Sequence, residues 1–232
     1  MTTFVLVHGA WHGGWCWRRV SDILTRRGHR VFTPTLTGLA DRSHLLSGAV
    51  NLETHVADIV NLMEWEDLED VVLCGHSYAG LVITGVAEKI GARLAALAYV
   101  DAFIPKDGDT AQILSGATGP VSTIVPPLPV AMLRLANPAD SAWVEAKMTA
   151  HPGETMGQEL RVTGAYLNVP RKAYILAGRS SGPIDDPGPL PIFAQYFEAA
   201  RQDSNWTTAR VEGGHDLMLD CPAELADILE SL

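Results

Sequence analysis

Ser77 and His215 are the residues whose surroundings point most directly to chemistry. Val71-Val72-Leu73-Cys74 is an apolar run of strand length that passes into Gly75-His76-Ser77-Tyr78-Ala79-Gly80 and then into the helical Leu81-Val82-Ile83. A serine on such a strand-to-helix turn exposes its hydroxyl at a helix N-terminus, where free N–H groups and the helix dipole favour developing negative charge. The turn is tight, so small residues are needed two positions to either side. Gly75 and Ala79 stand there, the alanine in place of the usual second glycine. Farther on, Glu212-Gly213-Gly214-His215 follows a short apolar run. An imidazole on that turn is suited to take the serine proton and return it to a leaving alkoxide. The pair predicts acyl transfer through a covalent serine ester, with Ser77 as nucleophile and His215 as base.

The anion formed in such a reaction needs donors. After the first apolar run comes His8-Gly9-Ala10-Trp11-His12-Gly13-Gly14-Trp15, whose glycines let backbone approach a substrate closely. The N–H groups of Ala10 and of Tyr78, just after the nucleophile, are the expected oxyanion hole. His8 and His12 are four apart, but they lie in a loop with no third ligand nearby, so no metal is expected. His29, His44, His55 and His151 lack any catalytic context and are read as surface or structural.

The elements that must position these groups follow from patterning. Apolar runs of strand length recur at Phe4–Val7, Val31–Thr33, Val71–Cys74, Leu97–Val100, Ala173–Ala177 and Ala209–Val211. Most are continuous rather than alternating, as expected of strands covered on both faces. Helical patterns lie between them at Trp17–Arg27, Leu52–Trp65, Leu81–Ile90 and Ala223–Leu229. Alternating strands and helices predict an α/β fold with a mostly parallel sheet and helices on both faces. Residues 105–169 break the rhythm, with a Pro126-Pro127-Leu128-Pro129 cluster and a helix opening near Pro138 and running through Trp143 and Met148. They are read as a cap inserted into one domain spanning residues 1–232.

Composition bounds the partners. A formal net charge of −10 without a basic run argues against nucleic acid or an anionic membrane surface. No stretch is long and apolar enough to span a bilayer, and the N-terminal apolar run is too short for a signal peptide. Three cysteines without paired spacing, Cys16, Cys74 and Cys221, suit a reducing, cytoplasmic setting without disulfides. A small neutral or hydrophobic ligand fits this profile. The apolar residues expected to line its pocket are Trp11, Phe103, Leu128, Trp143 and Met218, with Met132, Leu133 and Met148.

The run from Phe4 to Trp17, the Gly75-His76-Ser77 elbow and Gly213-Gly214-His215 together resemble the plant methylesterase and hydroxynitrile lyase group of α/β-hydrolases and its bacterial esterase relatives. The resemblance implies the α/β-hydrolase fold, esterase or cyanohydrin-cleaving activity on a small-molecule substrate, no metal or organic cofactor, the Ala10 and Tyr78 oxyanion hole, and frequent homodimers. Two departures stand out. The lyases of this group carry a lysine directly after the catalytic histidine, whose charge assists cyanide departure, whereas this chain has Asp216. That favours the ester hydrolase over the lyase, with a non-catalytic ligand-binding role on the same fold as a further alternative. The family's triad acid follows the strand corresponding to Ala173–Ala177, but Gly178-Arg179-Ser180-Ser181 stands there without a carboxylate. Asp101, at the end of the strand after the nucleophile helix, and Asp186, in a Gly/Pro-rich loop, both remain candidates. Asp101 is preferred because a strand end is rigid.

Overall fold

The computed structural model describes residues 1–179 and 191–232. Six strands form the main sheet: β1 (Thr3–Val7), β2 (Arg30–Phe32), β3 (Val71–His76), β4 (Leu94–Val100), β7 (Arg171–Ala177) and β8 (Trp206–Val211), in the order β2-β1-β3-β4-β7-β8. Every neighbouring pair is parallel. All the strands therefore end at the same edge.

The continuous apolar runs have their cause in two separate cores. Val5, Val7, Leu73, Leu97, Tyr99, Tyr174 and Leu176 face one side, packed with residues of α2 (Leu52–Trp65), α3 (Ala79–Ile90) and α7 (Pro191–Arg201). Phe4, Leu6, Val72, Cys74, Ala98, Val100 and Ile175 face the other, with residues of α1 (Arg18–Arg26), the short α8 (Leu217–Asp220) and α9 (Pro222–Glu230). Side chains alternate between faces, and both faces are buried, so no polar alternation survives. The central β3 is buried at every position, whereas the edge strand β8 is largely not.

Local signals explain the helix starts. At α2, Asn51 accepts from the Thr54 N–H while the Thr54 hydroxyl receives the Asn51 N–H, a reciprocal capping box. Residues 105–169 hold short elements: α4 (Ala111–Leu114), the two-stranded antiparallel pair β5 (Ile124–Val125) and β6 (His151–Pro152), α5 (Pro138–Glu145) and α6 (Glu154–Gly157). The α5 helix opens as expected, with Pro138 in its first turn and the Asn137 side chain accepting from the Ala139 N–H. It stops at Glu145, three residues short of Met148, where the Lys147 and Met148 N–H groups both turn back onto the Val144 carbonyl.

Candidate active site

Where β3 ends, the chain must reverse into α3 within two residues. Ser77 takes up that strain with φ of 54°, a left-handed conformation rarely adopted by residues other than glycine. Such a conformation costs on the order of 1–3 kcal/mol and persists only where the surroundings hold it. Here the Ser77 N–H donates to the Val100 carbonyl, and the Ser77 carbonyl accepts from Gly80 and Phe103. The requirement for a small residue at position 75 is steric: a Cβ there would stand 2.9 Å from the Ala79 carbonyl oxygen and from Ile83.

Asp101 occupies the equivalent point at the end of β4, also left-handed at φ 42° and fully buried. Its Oδ1 accepts from the Ala177 N–H at 3.1 Å, and its Oδ2 receives His215 Nδ1 at 2.6 Å. With Nδ1–H committed to the carboxylate, Nε2 of a neutral His215 is left as proton acceptor. The His215 N–H donates to Leu133 O, its carbonyl accepts from His76 Nε2, and its ring lies parallel to Phe193 with centroids 5.6 Å apart. Ser77 and His215 line one cavity of about 490 Å³. Among the described residues no hydrogen bond joins the two side chains; such bonds are often long before substrate arrives. Asp186, the other candidate acid, lies outside the described residues.

Ala10 and Tyr78 line the same cavity. The loop that carries Ala10 presses on the elbow: a Cβ at Gly9 would stand 2.9 Å from His76 Nδ1 and 3.0 Å from Ser77 Cβ. Trp11 is left-handed at φ 63°, and its backbone is pinned by its N–H on His151 Nδ1 and by its carbonyl on the Thr149 N–H. The Tyr78 hydroxyl donates to His55 Nδ1, whose Nε2–H donates to Thr37 O. His55 and His151, expected to be surface or structural, are both buried: each packs edge-on against Tyr78, and His151 also against Trp11. No local motif announces them, because each acts on a residue far away in sequence.

Behind the site is a charged pair. His12 Nε2 stands 3.0 Å from Asp216 Oδ2, and its Nδ1 is 2.7 Å from Ala10 O. Burial alone would lower the His12 pKa, but the Asp216 charge and hydrogen bond outweigh it and hold it above the ordinary histidine value. Burial likewise pushes Asp216 up, and His12, with His76 and His215, holds it well below the carboxylate range. The other buried rings stay neutral. Burial drives His8 down to about 3 and His55 to about 4, and pushes His76 and His151 well below the ordinary value. His8 spends its ring nitrogens on Gly9 O and the Leu36 N–H.

Five of the expected pocket residues line the cavity: Trp11, Phe103, Leu128, Met132 and Leu133. Trp143 and Met218, like Met148, do not. Trp143 packs edge-on against Trp15 with Lys147 over both rings, and Met218 is buried in the core beneath β1. Phe193, Met156, Val121 and Val125 take the remaining apolar wall. A more open groove of about 720 Å³ near Arg18 and Asp41 is lined by none of Ser77, His215, Ala10 and Tyr78.

Similarity to known proteins agrees with this geometry. The chain is 38% identical, over the full length of both, to a carbendazim hydrolyzing esterase from Nocardioides sp. (strain SG-4G). Over 44% of its length, and 40% of the relative's, it is 36% identical to methylesterase 2 of Arabidopsis thaliana. Its backbone matches an extracellular alpha/beta-hydrolase from a Paenibacillus species with a TM-score of 0.80, covering 100% of this chain and 98% of that one at 22% identity. The profile of the alpha/beta hydrolase family matches residues 4–228. With its parallel sheet, its strained Ser77 turn and its histidine after the last strand, the chain is a hydrolase and belongs to the alpha/beta hydrolase family.

Proposed function

We propose that the protein is a carboxylic ester hydrolase in which Ser77, His215 and Asp101 form the catalytic triad. The observation that carries this reading is the 2.6 Å contact between Asp101 Oδ2 and Nδ1 of His215, which lines the same cavity as Ser77. His215 Nε2 takes the Ser77 proton as Oγ attacks the acyl carbon. The resulting oxyanion is received by the Ala10 and Tyr78 N–H groups. Collapse of the tetrahedral intermediate breaks the C–O bond, and the proton on His215 passes to the departing alkoxide. Water then attacks the acyl-enzyme, its proton taken by His215, to release the acid and restore Ser77. Asp101 holds the productive tautomer and stabilises the imidazolium. Only the chain's own groups are used.

The substrate class follows from the walls. No Lys, Arg, Asp or Glu is among the described residues lining the cavity. The His12 ring on that wall is already paired with Asp216, so a charged acyl or alcohol part would have to be desolvated there without an uncommitted partner. Neutral, apolar or aromatic esters of small to medium size are the expected substrates. The segment 105–169, which supplies Ala111, Val121, Leu128 and Met156 to the wall, acts as the cap. The full-length resemblance to a carbendazim hydrolyzing esterase adds carbendazim to the compounds worth testing.

Wild-type protein is expected to react covalently with a fluorophosphonate at Ser77, Ser77→Ala is not, and a panel of methyl, aryl and short-chain esters with carbendazim is expected to contain a substrate. Wild type that neither labels nor turns over any of them overturns the reading. Cyanide release from mandelonitrile is not expected, because Asp216 stands where the lyases have lysine and is spent on His12.

A further inference from the structure

The peptide group between Ala10 and Trp11 is gripped at both ends. Its carbonyl oxygen lies 2.7 Å from His12 Nδ1, and its N–H donates to His151 Nδ1 at 3.3 Å. Building on the ester hydrolase reading, we propose that His12 and His151 are positioning residues that clamp this peptide plane and thereby aim the Ala10 N–H at the substrate oxyanion.

The partners fix the protonation of each ring. Both nitrogens of His12 face oxygens, the Ala10 carbonyl and the Asp216 carboxylate. A neutral imidazole donates from only one nitrogen, so His12 is an imidazolium paired with ionised Asp216. His151 is the opposite case. Its Nδ1 accepts from Trp11, so its proton is on Nε2 and passes to Thr155 Oγ1 at 2.7 Å, and the Thr155 hydroxyl in turn donates to Pro152 O at 2.7 Å. The direction of every bond in this chain is determined. One charged donor and one neutral acceptor therefore hold the two ends of a single peptide.

The clamp matters because Trp11 is left-handed, a conformation that reverts to the common region once its restraints are removed. The Ala10 N–H belongs to the neighbouring peptide plane, joined to the clamped one through a single Cα. On its other side that plane is fixed by Gly9 against the elbow. Releasing the clamp leaves ground-state binding in the apolar cavity intact and loosens a donor used only when charge develops.

The test compares His151→Asn, whose side-chain oxygen can replace Nδ1 as acceptor, with His151→Leu, which has none. His151→Leu is expected to lower kcat about 10- to 100-fold with KM changed less than about threefold, and to slow phosphonylation of Ser77 by the same factor as kcat; His151→Asn restores both to within about threefold of wild type. A folded Leu variant with unchanged kcat, or an Asn variant no better than Leu, overturns the clamp. Wild-type protein inert to fluorophosphonate and esters overturns the clamp together with the ester hydrolase reading; active wild type with indifferent variants removes the clamp alone. Should the Leu variant fail to fold, ¹⁵N NMR of wild type decides: a coupling across the hydrogen bond between the Trp11 amide nitrogen and His151 Nδ1 is expected, and a proton on His151 Nδ1 overturns the proposal.

Discussion

Asp101 divides its two oxygens between the end of β7, through the Ala177 N–H, and the ring of His215. The first bond fixes the carboxylate and the second orients the base, so replacing the residue by its amide separates orientation from charge. Asp101→Asn is expected to lower kcat on the order of 10⁴-fold while fluorescence and circular dichroism stay native, whereas Asp186→Asn leaves kcat near wild type. Steady-state kinetics on a single good ester measure both; equal loss in the two variants, or in neither, would refute the assignment. Ser77 and His215 stand out in the sequence because their signals are local: a strand, a tight turn and a helix around Ser77, and a glycine pair before His215. The choice between Asp101 and Asp186 has no such local signal, because Asp101 and His215 meet across 114 residues. Rigidity of a strand end favours Asp101 in the sequence, and the sheet brings it to the ring. The partners of the buried histidines lack a local signal for the same reason, since His151 touches Trp11 across 140 residues.

Strands and helices of the sheet were readable because burial on both faces writes long apolar runs, and all six expected strands occur. Which way an apolar side chain points is a different matter. Trp143 on α5 and Met218 on α8 are apolar residues near the site in sequence order, yet both turn into the core on the α1 side of the sheet rather than into the cavity. Hydrophobicity gives burial and not the compartment. The loop after β1 offers a direct test of how elements fit one another. Gly9→Ala places a methyl group 2.9 Å from His76 Nδ1 and 3.0 Å from Ser77 Cβ, where neither neighbour is a flexible side-chain end. The variant is expected to lose about 1–3 kcal/mol in urea unfolding and to lose at least tenfold in kcat, because the displaced groups are the elbow and the loop that carries Ala10. A variant with native activity and stability would show that the two elements move independently.

For the molecule as a whole, His8, His55, His76 and His151 are buried and neutral, and all four have folded-state pKa values below the ordinary one. The unfolded chain takes up protons near pH 6.5, and the folded chain does so only at about 3 for His8 and about 4 for His55. Stability contributed by such a group is complete above 6.5 and is lost as pH falls toward the folded value, at about 1.4 kcal/mol per pH unit for each histidine. His12, raised by Asp216, has the opposite sign: its contribution is complete below 6.5 and is lost as pH rises through its folded value. The four outweigh the one in acid, so the urea midpoint is expected to fall steeply between pH 6.5 and 5; a flat profile would mean that these rings are protonated in the native state. The same wiring bears on protein engineering. Trp11 is fastened to the segment 105–169 by three hydrogen bonds, to Val125 O, the Thr149 N–H and His151 Nδ1. Exchanging that segment for a relative's to change substrate choice would also unfasten the loop that carries Ala10, the proposed oxyanion donor. A graft that brings new walls must carry these three attachment points with it, or it will trade turnover for selectivity.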